Sequence, residues 1–296
     1  MKASVLIVSK NRKEELRKTI NYIAKFLDQN QHEMGIFLDG STDGSVDLKK
    51  EFPWINWYGS SESIGPSRAR SILYKKAKGE VLFGFDDDSH PLNSGFIEQT
   101  LELFETKKNL GIIAFREIKG SFKNRDDLQA ILSEKKEDFK VKSFAGCGFA
   151  IRRQVYNDGR GFPVWIDIYG EESCVAMETL SLGYDILFTY AISVHHRVDK
   201  DVRAKSWANQ HRFGKQIKNE GMFYLVYYPF PLVILKLSKL FFHNLKKYSF
   251  LDIIFFKEYL LAIFKIFKNF PSALFHRKPV SMRVIKKFNS LRNPEY

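Results

Sequence analysis

Val81-Leu82-Phe83-Gly84-Phe85-Asp86-Asp87-Asp88 is an apolar run that stops at three consecutive carboxylates. A short run of this kind reads as a buried strand, and strands do not end in clustered acids without a reason. Two reasons stand side by side. Carboxylates are the hard oxygen ligands that Mg²⁺ or Mn²⁺ takes, and one or two are enough when substrate phosphates complete the shell. Asp86 and Asp88 are two residues apart, so in an extended segment they point the same way. The same residues also make a turn, since Asp clusters followed by residues such as Ser89, Pro91 and Asn93 end strands as well.

Upstream, strand-like runs at residues 3–8, 35–38 and 55–58 alternate with amphipathic stretches at 13–27, 45–51 and 65–76. Downstream, residues 96–106 read as a helix and 110–116 as a strand. This alternation predicts an α/β unit around a mostly parallel sheet. Ligands bind such sheets at the carboxyl ends of the strands. Asn11, Asp39 and Asp86 each fall just past a strand end, so they would meet on one rim. Residues 117–142 are rich in Lys, Asp and Glu and read as a mobile excursion with a helical piece around 126–137. Residues 144–152 return to an apolar, Gly-containing segment. Residues 171–182 are a helix pattern with Gly183 at its C′ position, and 186–196 a strand running into His195 and His196.

At 296 residues the chain can bury a sizeable core. Its cysteines, Cys147 and Cys174, have no metal-type spacing, and a reducing compartment is the simpler setting. The first residues lead straight into a strand pattern, without the charged and apolar regions of a signal peptide. Charge divides the chain. Residues 1–200 balance 29 basic against 29 acidic side chains, whereas 201–296 hold 18 against 5, the whole of the net charge of +13. That last third is also crowded with Phe, Tyr, Leu and Ile. The apolar stretch 222–235, broken by Pro229 and Pro231, is shorter than the roughly 20 residues that span a bilayer. Residues 250–270 place Lys257, Lys265 and Lys268 on one face of an otherwise apolar helix, which suits a helix lying in an anionic membrane surface. Packing of these helices onto the body is the competing reading. The expected division is therefore a catalytic domain at 1–205, with halves at 1–100 and 101–205, and a basic, aromatic, amphipathic helical tail at 206–296. A nucleic-acid-binding role for the tail lacks zinc spacing, a recognition-helix signature or an RNP-like strand.

Singly, the remaining motifs have ordinary readings. Asp39-Gly40-Ser41-Thr42-Asp43-Gly44-Ser45 is a Gly-rich turn that caps the next helix, and Gly65-Pro66-Ser67-Arg68-Ala69-Arg70 is a basic helix start. Their order is what matters. Val5 through Arg12, Leu38 through Ser45, Gly65 through Arg70, and Phe85-Asp86-Asp87-Asp88 with Pro91 resemble the nucleotide-sugar half of family 2 glycosyltransferases of the GT-A fold. The likeness is close over roughly residues 3–100 and looser to about 200. It implies an α/β GT-A fold, a nucleotide-diphosphate sugar donor (UDP- or dTDP-linked) and a Mn²⁺ or Mg²⁺ cofactor.

Position by position, the resemblance implies that Asp39 holds the nucleobase edge, with Ser9, Asn11 and Arg12 along the base and Arg70 near the diphosphate. Asp86 and Asp88 match the metal-binding DxD pair, with Asp88 the direct ligand and Asp86 nearer the ribose. Asp87 belongs to the same donor-side run, although alternation turns it away. Gly146, Cys147 and Gly148 match a small-residue strand beside the acceptor, and Trp165 and Asp167 an acceptor loop. Glu171-Glu172 matches the catalytic acid motif, where the family has Glu-Asp; Glu172 takes the base role and Glu171 is the alternative. Acids at a helix N-terminus also suit the helix dipole. A histidine at the end of the 186–196 strand approaches the metal, and only one of the pair can do so; His195 is preferred over His196. The family often has two adjacent acids at Leu38-Asp39, and this chain has one, which leaves the nucleobase open.

One base, one metal and no nucleophile imply inversion at the anomeric carbon. The segment from Arg212 through Pro229, with Arg277-Lys278-Pro279-Val280-Ser281, resembles the C-terminal region of bacterial rhamnosyltransferase-like members. That implies a glycan or lipid-linked glycan acceptor in cell-surface polysaccharide synthesis, and an enzyme peripheral on the cytoplasmic face of the membrane. A nucleotidyltransferase on a related fold is the alternative enzyme.

Overall fold

The computed structural model describes residues 1–120, 128, 131, 132, 134, 136–198, 208–250 and 252–296. The expected helical piece around 126–137 falls largely outside these residues, as does the boundary expected at 205/206. The first half follows the pattern read from the sequence: β1 (Ala3–Ser9), α1 (Lys13–Ile23), β2 (His32–Asp39), α2 (Leu48–Glu51), β3 (Asn56–Ser60), α3 (Pro66–Lys76), β4 (Val81–Asp86), β5 (Ser89–Pro91), α4 (Phe96–Thr106) and β6 (Leu110–Lys119). There follow β7 (Phe139–Lys140), β8 (Gly148–Arg152), α5 (Arg153–Asp158), α6 (Glu171–Ser181) and β9 (Asp185–His196). The tail is helical: α7 (Ala208–Tyr227), α8 (Phe230–Asn244), α9 (Ile253–Lys268), α10 (Phe270–Phe275) and α11 (Met282–Ser290).

The sheet runs β3-β2-β1-β4-β8-β6-β9-β5, with β7 also on β9. From β3 to β4 every pairing is parallel; β8 then enters antiparallel between β4 and β6. β1 shows why both faces fill. Val5 and Ile7 pack with Leu16 and Ile20 of α1 on one side, while Leu6 packs with Leu73 and Tyr74 of α3 on the other. A strand buried on both faces reads as a continuous apolar run, which is what residues 5–8 are. Parallel pairing brings the carboxyl ends of β1, β2 and β4 to one edge, and the site lies there.

The tail packs on the body. Met222, Phe223, Val226 and Tyr227 of α7 share a core with Ile166, Cys174 and Met177. Each such apolar side chain contributes roughly 1.5–3 kcal/mol of burial, so α7 is held without any lipid. Ile266 of α9 lies on Gly221 of α7, where an added Cβ would come within 2.5 Å, so the two helices approach closely. The interfacial reading survives only for the outer faces of α8–α10, where Phe242, Phe250, Ile253, Phe264, Phe267 and Phe275 are exposed. Lys257, Lys265 and Lys268 are exposed on α9 as the sequence predicts. No described helix is long and apolar enough to cross a membrane.

Candidate active site

The loops after β1 and β2 are knitted together by Asn11. Its side chain accepts from the Thr42 N–H at 2.7 Å, and its own N–H donates to Ser41 Oγ at 3.2 Å. Asn11 has φ +53°, a conformation that Asn tolerates better than most residues. Asp39 is buried and accepts from Ser63 Oγ (2.8 Å), Ile64 N–H (2.6 Å) and Gly65 N–H (3.1 Å), which fixes the entry to α3. Asn11 thus builds the rim, while Asp39 both builds it and lines the pocket beneath.

That pocket, about 410 Å³, is lined by Ser9, Arg12, Asp39, Asp86, Asp88 and His196, and closed by Asp167 and Lys215. The triple-Asp run turns the chain here and also gathers acids at the pocket. Asp86 ends β4 and its N–H donates to Ser89 Oγ (2.9 Å) as the chain turns, yet ligand atoms of Asp86, Asp88 and His196 lie within 4.8 Å of one another. Convergence comes from the turn and not from strand alternation. Asp87 is turned inward, accepting from Ser9 Oγ at 2.7 Å and pairing with Arg12 at 3.0 Å. Burial pushes its carboxyl up to about 7 against the pull of Arg12.

The histidine preference is corrected. His196, not His195, faces the acids: its Nε2 is 3.1 Å from Asp88 Oδ1, and its Nδ1 meets Glu117. His195 turns away to the Gly120 carbonyl at 2.6 Å and the edge of His90. The cause lies in the β6–β9 pairing, where Phe115 faces Thr189 but Arg116 faces Ser193. Such an irregularity resets the alternation of all that follows. Burial opposes a charge on His196, but hydrogen bonds to Asp88 and Glu117 outweigh it and raise the imidazole to about 9. Burial likewise opposes ionisation of Asp88, yet His196 and Arg12 hold it well below the usual carboxylate range. Two carboxylates and an imidazole form a donor set for a divalent cation such as Mn²⁺, which would take the place of a proton on His196. Glu117, at the end of β6, meets the other ring nitrogen and orients the imidazole from behind.

Arg70, which the resemblance places near the diphosphate, lies buried among carboxylates, 2.7 Å from Asp86, 3.1 Å from Glu171 and 3.2 Å from Glu172. Both glutamates open α6, after Gly170 at φ +99°. Glu171 is enclosed, with Oε2 buried and unpartnered among the described residues, whereas Glu172 is more open. Burial raises both carboxyls, and Arg70 draws both back. Gly146 passes directly over this pair: a Cβ there would stand 2.6 Å from Glu172 Oε1 and 2.7 Å from Arg70.

The other expected acceptor residues are dispersed. Cys147 is buried, its carbonyl taking Ser89 Oγ at 2.7 Å and its thiol beside Glu117 and His196. Gly148 begins β8 opposite Phe85. Trp165 packs on the tail, with its ring 6.5 Å from that of Tyr227. Asp167 lines the same pocket as Asp86 and Asp88, pinned by Lys218 at 2.9 Å and Lys215 at 3.6 Å, and is held down to about 2. Burial works against that shift, and the lysines prevail. Lys215 was missed by residue-level reading; its one signal was the family-like run beginning at Arg212.

The model of glycosyl transferase family 2 matches residues 4–160, over half of the 296-residue chain. A Haemophilus influenzae protein of uncharacterised function is 25% identical over 177 residues, 54% of this chain and 92% of that protein. Among solved structures, residues 1–349 of Staphylococcus aureus TarS in complex with UDP-GlcNAc align at TM-score 0.61 and 15% identity, over 96% of this chain and 83% of that one. The mannosyltransferase PcManGT of Pyrobaculum calidifontis, in complex with GDP-Man and Mn²⁺, aligns at 0.59 and 13%, over 98% and 79%. GalNAc-T7 with UDP, GalNAc and Mn²⁺ aligns at 0.55 and 18%, over 67% of this chain. The chain spans 43% of GalNAc-T7 and 40% of the longer TarS structure. These likenesses establish the GT-A fold.

Proposed function

The chain belongs to glycosyl transferase family 2, and from that premise we propose that it moves a sugar from a nucleotide-diphosphate sugar to a hydroxyl of a glycan acceptor, with inversion. Arg70 supports this most directly, because one buried guanidinium holds both Asp86 of the donor pocket and Glu172. Displacement at an anomeric carbon needs a base for the attacking hydroxyl and neutralisation of charge on the departing diphosphate. Asp86, Asp88 and His196 would hold Mn²⁺ or Mg²⁺, which supplies that neutralisation when bound. Glu172 takes the hydroxyl proton on a carboxylate oxygen. Burial raises its carboxyl, which suits a proton acceptor, and Arg70 at 3.2 Å opposes that rise. Lys215, from the tail, adds a positive charge to the donor pocket. A single displacement without an enzymic nucleophile inverts the anomeric carbon.

The nucleotide diphosphates named with TarS and PcManGT favour this class of donor, and UDP- or dTDP-sugars are the first to try. Exposed Phe242, Phe264 and Phe267, fringed by Lys257, Lys265 and Lys268, favour work at the cytoplasmic membrane surface on lipid-linked acceptors of cell-surface polysaccharide. A nucleotide-sugar panel read by thermal shift with and without Mn²⁺, followed by mass analysis of products, tests the proposal. Release of nucleoside diphosphate with a glycosylated product supports it. Pyrophosphate release would favour nucleotidyl transfer instead.

A further inference from the structure

His196 turns one ring nitrogen to the donor pocket and the other to a second group of ligating atoms. Three neighbouring strands bring that group together. β8, β6 and β9 lie side by side, with Cys147 just ahead of β8, Glu117 in β6 and His196 closing β9. Cys147 Sγ, a Glu117 carboxylate oxygen and a His196 ring nitrogen lie within 4.8 Å of one another. All three side chains are buried. A tetrahedral cation, with bonds of about 2.0–2.3 Å to sulfur, nitrogen and oxygen, closes that span by small side-chain shifts.

The hydrogen bonds are those of a metal site in its protonated form. Glu117 accepts from the Cys147 thiol and from His196 Nδ1. Each donated proton sits on an atom that binds a cation once the proton has left. The Glu117 carboxylate is shared: Oε2 takes Lys119 at 3.0 Å, which leaves Oε1, the atom facing the imidazole, for the cation. Thiolate and carboxylate together neutralise a divalent charge. On the far side of the ring, Asp88 stands 3.1 Å from Nε2 and would hold that N–H, as carboxylates do for zinc-bound histidines. Glu117 also lines a hollow of about 330 Å³ with Arg116, Lys119 and Tyr296, a way in that is separate from the donor pocket.

The thiolate decides which cation is taken. Sulfur favours Zn²⁺ over Mg²⁺ and Mn²⁺, whereas Asp86 and Asp88 offer oxygen on the other side of the ring. A neutral imidazole has one free lone pair and one N–H. It can give Nδ1 to the thiolate group or Nε2 to the aspartates, but not both.

We propose that Cys147, Glu117 and His196 form a Zn²⁺ site that withdraws His196 from the Asp86–Asp88 cation site, so that Zn²⁺ antagonises Mn²⁺. The antagonism rests on the metal-dependent glycosyltransferase reading; the zinc site stands without it. Reduced, metal-free protein is titrated with Co²⁺ as a spectroscopic substitute, and with Zn²⁺ against a chromophoric chelator. Wild type should show thiolate-to-cobalt charge-transfer absorption in the near ultraviolet. Cys147→Ser should lose it and bind Zn²⁺ at least ~10-fold more weakly, while Cys174→Ser keeps both. Thermal unfolding without metal shows that each variant folds, and Glu117→Gln, which keeps the thiol, should weaken Zn²⁺ binding as well. No thiolate absorption in wild type, or absorption that survives in Cys147→Ser, overturns the zinc site. The antagonism is read from the thermal shift given by UDP-sugar with excess Mn²⁺. Zn²⁺ equimolar with protein should reduce that shift in wild type and not in Cys147→Ser. A wild-type shift that Zn²⁺ leaves intact, with the cobalt absorption present, overturns the antagonism. Absence of any Mn²⁺-dependent shift counts against the glycosyltransferase reading, and the cobalt titration still decides the zinc site.

Discussion

Arg70 and Glu172 form an ion pair of 3.2 Å, and the same guanidinium holds Asp86 at 2.7 Å. One side chain thus sets the distance between the acid at the α6 N-terminus and the edge of the donor pocket. Arg70→Ala leaves Asp86, Glu171 and Glu172 facing one another without a counter-charge. Breaking a buried pair in this way costs about 3–5 kcal/mol. A drop in melting temperature, with sugar transfer reduced at least ~10²-fold, is expected. Arg70→Lys keeps the charge but not the fork, and should recover stability more than activity. Thermal unfolding and transfer assays on the pair of variants check this.

Mn²⁺ binding should release a proton. His196 is raised from 6.5 to about 9 by Asp88 and Glu117, against burial, so at neutral pH the imidazole must lose its proton to become a ligand. Affinity should rise with pH until about 9 and level off there. Calorimetry in buffers of different ionisation enthalpy measures the released proton. In metal-free protein the sign is opposite: the stability His196 contributes is complete below 6.5 and is lost as pH rises through about 9. Asp87, lifted to about 7, loses its contribution in a lower window. His196→Gln should flatten the change between pH 7 and 9.

Lys215 tests whether the tail belongs to the donor site. Lys215→Ala should raise the donor KM roughly tenfold, about 1.5 kcal/mol for one charge-assisted contact, with little change in stability. Unchanged steady-state donor kinetics would remove the tail from that pocket.

Phe242, Phe264 and Phe267 are 72%, 63% and 68% exposed. If they enter a membrane surface, each contributes about 1.5–3 kcal/mol of transfer. The triple Phe→Ser variant should then lose flotation with anionic vesicles and keep its melting temperature. Equal flotation would contradict the membrane assignment. Point changes suit this test better than truncation, since Phe223 and Val226 make the tail part of the folded core.

Much of this was legible because periodicity and strand-end chemistry are local. The alternating first half, the Asp86–Asp88 cluster and the Asp39 rim all follow from runs of fewer than ten residues. What escaped depends on distant segments. His196 displaces His195 because of an irregularity opposite Phe115 and Arg116, and nothing near the histidines signals it. Glu117 reaches His196 across a sequence separation of 79 residues. Lys215 reaches the pocket of Asp86 and Asp88 only because α7 docks on Ile166, Cys174 and Met177. Trp165, read as part of an acceptor loop, serves that docking.

The base assignment is tested most directly by single-turnover transfer with Glu172→Gln, with Glu171→Gln and Mn²⁺-dependent donor binding measured alongside. General-base loss predicts transfer reduced ~10²–10⁴-fold in Glu172→Gln, with donor binding near wild type and a smaller loss in Glu171→Gln. Glu172→Gln that transfers sugar at the wild-type rate would contradict the account.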